Sequence, residues 1–213
     1  MAEIRWQFDP TPLERFPLGA SPFRVRGLAY VAVLEYMKKR TPGGVQSVQA
    51  ALAGDPALDY ITQLFVSLGD YDVVPLARLF NTAAKLEATP VGRFIEERAK
   101  SSARSDSDGI WRALLSSKTL SQMVERLPIT FNRYFEPCRA SIVRGTDRSF
   151  TGDLSDVPST LNGVYVFSTQ GFVGTCLELS GAKNVTFEWN RPTPTGERDG
   201  IPVECVRFTA RWD

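Results

Sequence analysis

The chain predicts an α+β fold: a helical N-terminal half followed by a small antiparallel sheet in a β-β-α-β-β order. Three observations carry this. Between residues 21 and 136 apolar positions recur at helical spacing, broken by capping and turn residues. After Glu136-Pro137 the period changes to alternation. Between the two expected strand pairs lies one apolar segment, Leu161 to Leu179, dotted with Gly163, Gly171 and Gly174 and stopped at Ser180-Gly181. The division that follows is an extended arm over 1–20 and a single α+β domain over 21–213, its helical part 21–136 and its sheet-containing part 137–213.

Each element has a local reason. The arm carries Trp6, Phe8 and Phe16 among prolines and charges, with a short strand expected at Ile4 to Phe8. Ser21-Pro22 reads as the cap and first turn of a helix through Phe23 to Arg40, whose terminal Lys38-Lys39-Arg40 complements the helix dipole. Val45 to Ala53 and Pro56 to Val66 read as two short helices, the second capped by Asp55. Gly69 to Asp72 forms a turn whose aspartates cap a helix from Val73 to Ala88. Thr89-Pro90 starts another from Val91 to about Arg104, with Glu96, Glu97, Arg98 and Lys100 as its exposed run. Ser101 to Asp108 is the most polar stretch and reads as a loop, after which Asp108 caps a helix through Ile110 and Leu115. A last helix from Thr119 carries Leu120, Met123, Val124, Leu127, Phe131 and Phe135, with Pro128 inside it. Then come a hairpin turning at Thr146 to Arg148, the glycine-bearing helix, a strand from Asn184 to Asn190, a turn-rich loop from Arg191 to Pro202 and a closing strand, Val203 to Trp212.

Composition narrows the function. Lys and Arg total 25 against 24 Asp and Glu, so the chain lacks the basic excess of a protein that works on nucleic acid. The arginines at Arg133, Arg139, Arg144 and Arg148 read as a solvated sheet face. Cys138, Cys176 and Cys205 are odd in number and dispersed, which argues against a disulfide framework and for a reducing, cytoplasmic setting. No signal-peptide pattern opens the chain, and no apolar run reaches the ~18 residues of a membrane span. The chain contains no histidine, which removes Ser-His-Asp and Cys-His catalysis, His-based metal sites and His-ligated haem together.

The remaining candidate chemistry is thin. Asp147, Asp153 and Asp156 lie on or beside one hairpin, where turn formation and capping by Asp156 explain them. Gly43-Gly44 and Gly171 to Gly174 have neither dinucleotide-fingerprint nor phosphate-loop spacing. Cys176 has no neighbour in sequence that would activate it and reads as a core thiol. The glycines of the apolar helix do require a reason, because each costs roughly 1 kcal/mol relative to Ala. Gly181 has one as a C-cap. Gly163, Gly171 and Gly174 indicate either close packing, on the sheet or on a twin helix across a dimer, or the wall of a lipophilic pocket.

From Met123-Val124-Glu125-Arg126-Leu127-Pro128 through Asn132 and Tyr134, the hairpin, the Gly163 to Gly181 helix and the Ala182-Lys183-Asn184-Val185 strand entry, the chain resembles a paralogous myxobacterial family. Its layout is also similar to the wider group of 4-vinyl-reductase-type domains, haem-nitric-oxide-binding domains and TRAPP transport-particle subunits. That resemblance implies helices ahead of a small antiparallel sheet, a central cavity holding haem, an acyl chain or another lipophile, and frequent dimerisation. The functional residues do not carry over. The haem-binding branch uses a histidine and a Tyr-x-Ser-x-Arg signature, which Tyr165-Val166-Phe167-Ser168 does not match, and no cysteine precedes Cys138 to take the lipid of the acyl-binding branch. The expectation is a non-enzymatic sensory or scaffold module without a cofactor, a homodimer, with a lipophilic ligand walled by Phe131, Tyr134, Phe135, Tyr165, Phe172 and Cys176. The alternatives are a protein-interaction module with a solid core that binds through its helical half, and an enzyme using Asp153, Asp156 or Cys176.

Overall fold

In the computed structural model, which describes residues 4–108 and 119–213, the chain is α+β, with helices preceding an antiparallel sheet. Strand β1 (Arg24–Arg26) leads into α1 (Gly27–Arg40), followed by α2 (Gly44–Ala51), α3 (Ala57–Ile61), β2 (Asp70–Asp72), α4 (Val73–Leu86) and α5 (Val91–Asp108). Helix α6 (Leu120–Tyr134) and β3 (Phe135–Glu136) close the helical half. The second half contains β4 (Arg139–Thr146), β5 (Ser149–Pro158), α7 (Asn162–Leu179), β6 (Thr186–Trp189), β7 (Thr193–Arg198) and β8 (Ile201–Arg211). A 3-10 turn, Ser159–Leu161, links β5 to α7.

Several expected elements differ. The first helix begins at Gly27, because Arg24 to Arg26 pair with β2 and β3 in a three-stranded sheet within the helical half. Ser21 is therefore no cap of α1; its N–H and hydroxyl both donate to the buried Asp72 carboxylate, at 2.9 and 2.5 Å. Asp72 caps α4 as its position implies, accepting from the Val74 N–H at 2.9 Å. It also ties the sheet to the aromatic core, since its carbonyl accepts from the Tyr30 hydroxyl at 2.6 Å. The third helix stops at Ile61, well short of Val66. The polar stretch Ser101 to Asp108 continues α5 instead of forming a loop, because Ser102 and Ala103 are buried on the face begun by Phe94 and Ile95. The helix expected from Ile110 to Leu115 lies outside the described residues.

In the second half the order is β-β-α-β-β-β. The turn-rich loop after Asn190 contains β7, an exposed strand paired along the first part of β8. The sheet runs β4-β5-β8-β6, with β8 at its centre bonded to β5, β6 and β7. Burial alternates along β8 in two runs, Ile201 and Val203, then Val206, Phe208 and Ala210, with the phase shifting by one residue at the buried Glu204. On either side of that shift this gives the period-2 pattern of a sheet with one covered face. Asp156, expected to cap the glycine-bearing helix, lies instead within β5 at φ 55° where the register with β8 shifts. Nor do the arginines share a strand, since Arg133 belongs to α6.

The arm is bonded to α7 without forming the expected strand. Gln7 N–H donates to Asn162 Oδ1 at 2.7 Å, Gly163 N–H donates to the Gln7 carbonyl at 2.9 Å, and Asn81 Nδ2 donates to the Phe8 carbonyl at 2.9 Å. A β-carbon at Gly163 would fall 2.4 Å from the Phe8 ring, so that glycine admits the arm. Gly171 admits a helix: its β-carbon would fall 2.3 Å from the Glu96 carbonyl oxygen and 2.9 Å from the Ala99 β-carbon. The close approach is thus to α5 and the arm. The C-terminus of α7 closes on Gly181, with Ala182 N–H donating to the Leu177 carbonyl at 3.0 Å and Gly181 N–H to the Glu178 carbonyl at 3.0 Å.

Candidate functional site

A cavity lies where α4, α5, α6 and α7 converge. It holds about 40 Å³ of space open to the centre of a water molecule. Its wall is aromatic and aliphatic, from Phe80, Leu127, Phe131, Tyr134, Phe135, Val164, Phe172 and Val173, interrupted by Arg98, Ser102, Thr130, Ser168 and Thr169. Local structure accounts for the placement. Val164, Ser168 and Phe172 repeat at four-residue spacing along α7, as do Leu127, Phe131 and Phe135 along α6 and into β3. The rings interlock around the space: Phe131 lies 4.9 Å from Phe135, and Tyr134 lies 5.9 Å from Phe172.

Of the six wall residues expected from sequence, Phe131, Tyr134, Phe135 and Phe172 line this cavity. Tyr165 and Cys176 are buried but absent from its lining. Tyr165 packs behind it with its ring 4.9 Å from Phe135, and Cys176 is taken up in the core of α7. They fall on other faces of α7, which is apolar all round, so hydrophobicity alone could not say which face meets the cavity.

The sequence reading placed Arg98 in an exposed charged run. It is instead 6 % exposed, with its guanidinium carbon 5.2 Å from the centre of the Phe80 ring. The available signal was its position on α5, three residues after Ile95 and four before Ser102, both on the buried face. Ser168 and Thr169 were also missed. They are 6 % and 4 % exposed, and neither hydroxyl has a hydrogen-bond partner among the described residues. The Thr175 hydroxyl is also buried without a partner, but Thr175 does not line the cavity.

Among the described residues the lining contains no Asp, Glu or Cys, so Asp153, Asp156 and Cys176 do not meet it. Asp153 is held by Arg207 through two 2.7 Å bonds on the sheet. Asp156 receives the Cys138 thiol on its carbonyl at 3.0 Å. Burial pushes the Cys138 thiol up to about 12. Burial also raises Tyr165 well above the ordinary phenol range; its hydroxyl meets no partner at hydrogen-bond geometry, although the Cys138 thiol lies close enough to perturb it. Among the described residues no cluster of His, Cys, Asp or Glu is arranged to hold a metal, and no helix is long and apolar enough to cross a membrane.

No family model and no curated protein sequence matches the chain. Solved structures do. A point mutant of T. tengcongensis H-NOX aligns with TM-score 0.65 at 11 % identity, covering 88 % of this chain and 97 % of that one. The Fe(II) unliganded H-NOX protein from K. algicida aligns with TM-score 0.63 at 13 % identity, covering 88 % and 96 %. A structure addressing heme distortion in the H-NOX family aligns with TM-score 0.61 at 11 % identity, covering 88 % and 92 %. Heme does not fit the residues present here. Among the described residues the cavity wall offers no His, Cys or Met, and only the Tyr134 phenol is of a type that ligates heme iron, while its volume corresponds to about three waters at 10–15 Å³ of centre-accessible space each. The cavity walls leave no room for a macrocycle, and two of the helices forming them, α5 and α7, meet at Gly171 without space for one methyl group. This chain is similar to H-NOX domains in fold.

Proposed function

We propose that this protein is a non-enzymatic ligand-binding module, a sensory or scaffold domain, whose cavity between α4, α5, α6 and α7 takes a small lipophilic molecule instead of heme. The observation carrying this reading is the aromatic cavity wall with Ser168 and Thr169 buried in it and unpartnered. Buried hydroxyls are ordinarily hydrogen-bonded, and leaving one orphaned costs about 1–3 kcal/mol. A ligand that supplies the missing partner recovers that cost.

The test is native mass spectrometry on protein purified from its own source, together with a thermal-shift panel of lipophiles from three-carbon acids to long acyl chains. A copurifying small molecule or a saturable shift supports the reading. No adduct and no shift anywhere in the panel ends it. Dimerisation and a cytoplasmic setting belong to the same proposal, and light scattering at micromolar concentration tests the dimer.

A protein-interaction module is the second reading. It is favoured by Leu64, Val66 and Leu68, which are 89 %, 61 % and 65 % exposed on one segment of the helical half. On that reading, substituting all three with Ser abolishes partner binding and leaves ligand-induced shifts intact.

A further inference from the structure

The wall of the cavity specifies its occupant more narrowly than lipophilicity does. Resting on the ligand-binding reading above, we propose that it takes a short-chain molecule with a carbonyl or carboxylate head, the head oxygen on the Ser168 and Thr169 hydroxyls and the tail against Phe131 and Phe172.

Hydrogen-bond availability comes first. A Ser or Thr in a helix usually spends its proton on the carbonyl four residues back. Ser180 does so at the end of α7, donating to the Cys176 carbonyl at 2.9 Å, and Thr130 faces the Arg126 carbonyl at 3.5 Å. Ser168 and Thr169 do neither, so both carry an unspent O–H proton on residues that line the space. Both residues line the same space, so an oxygen-bearing head can take one or both of these protons.

Charge agrees with that choice. Among the described residues the titratable side chains in the lining are Arg98 and Tyr134, with no carboxylate among them. Neither a guanidinium nor a hydroxyl proton offers an acceptor to a donor head, whereas both donate to an oxygen. An ammonium head, with three donors and no acceptor, takes neither hydroxyl proton.

Size sets the length. Space for about three waters accommodates roughly four or five heavy atoms. Ring contacts such as that of Tyr134 with Phe172 leave an apolar surface for a tail of two or three carbons.

The experiment compares propionate, propionamide and propylamine by thermal shift on the full chain, with titration calorimetry for affinity. A ligand at one hundred times its Kd raises the melting temperature by about 5–10 °C for a chain of this size. Propionate, propionamide or both are expected to do so, and propylamine is not. An equal shift with propylamine overturns the proposal. Silence from all three, with shifts from larger lipophiles, overturns the short-chain assignment alone and leaves the ligand-binding reading standing.

Thr169→Val separates a binding hydroxyl from a structural one, because it keeps the side-chain shape. Unliganded, the variant melts at or above the parent temperature, while the shift with propionate or propionamide falls severalfold. Thr175→Val, outside the cavity, keeps the full shift. A Thr169→Val protein that melts lower and keeps its ligand shift overturns the proposal.

Discussion

Gly171 and Glu96 meet so closely that a β-carbon on the glycine would lie 2.3 Å from the glutamate's carbonyl oxygen. This contact brings α7 against α5 and confines the cavity beside it, since Arg98, Ala99 and Ser102 follow Glu96 on one helix and Ser168, Thr169, Phe172 and Val173 flank Gly171 on the other. Gly171→Ala adds helix propensity of about 1 kcal/mol but forces the two backbones apart. The expected outcome is a net loss of about 1–3 kcal/mol by urea denaturation. Gly174→Ala is the control: its added carbon would sit 3.4 Å from the Phe187 ring, so stability is unchanged or slightly higher. Equal losses in both variants would discredit the contact.

Asp72 joins three parts of the helical half. Its carboxylate takes Ser21 N–H and Oγ as well as Val74 N–H, and its N–H donates to the Tyr60 hydroxyl at 2.9 Å. Asp72→Ala removes a helix cap and orphans the Ser21 donors, for an expected loss of about 2–4 kcal/mol. Ser21→Ala costs less, because the cap survives. Chemical denaturation of the two variants gives the order.

Thiol reactivity follows burial. Cys205 is only half-buried, while Cys138 and Cys176 are buried. With a thiol-specific reagent at pH 8, Cys205 is labelled first and slowly, since partial burial raises its pKa too. Cys138 and Cys176 react on unfolding. Peptide mapping after timed labelling checks the order, and early modification of Cys138 would contradict its place in the core.

Alkaline stability follows from three raised groups: Cys138, from 9.0 to about 12, and Tyr30 and Tyr165, each raised well above 10.0 by burial. Each holds its proton more tightly folded than unfolded. As pH climbs from about 9 toward 12 the unfolded state releases protons that the folded state keeps, so stability falls across that window and these groups contribute no slope below it. Tyr165→Phe deletes one of the three and an unpartnered hydroxyl with it. The variant is expected to be no less stable at pH 7 and to lose stability less steeply above pH 9, read from urea midpoints over pH 7 to 11.

Much of the fold and part of the site were legible in the chain. The capping Asp72 and Thr119, the stop at Gly181 and the alternation of β8 are local signals, set by one residue's bonding or by period. Strands β1 and β2 were illegible because three residues carry no periodicity; they exist through register with each other and with β3. Strand β7 is exposed throughout and shows no burial pattern to read. The α6 contributions to the cavity were legible because that helix has one apolar stripe.

By itself the sequence determined that there is no histidine to ligate heme, that helices precede a sheet and that α7 must pack unusually close to something. Tertiary structure alone decided that the close neighbour is α5 and the arm, that Arg98 turns inward, and that Ser168 and Thr169 meet the cavity while Tyr165 and Cys176 do not. The physical reason is that period reports which side of an element is buried but not what it is buried against. On a helix buried all round, only the packed neighbours distinguish a core face from a cavity wall.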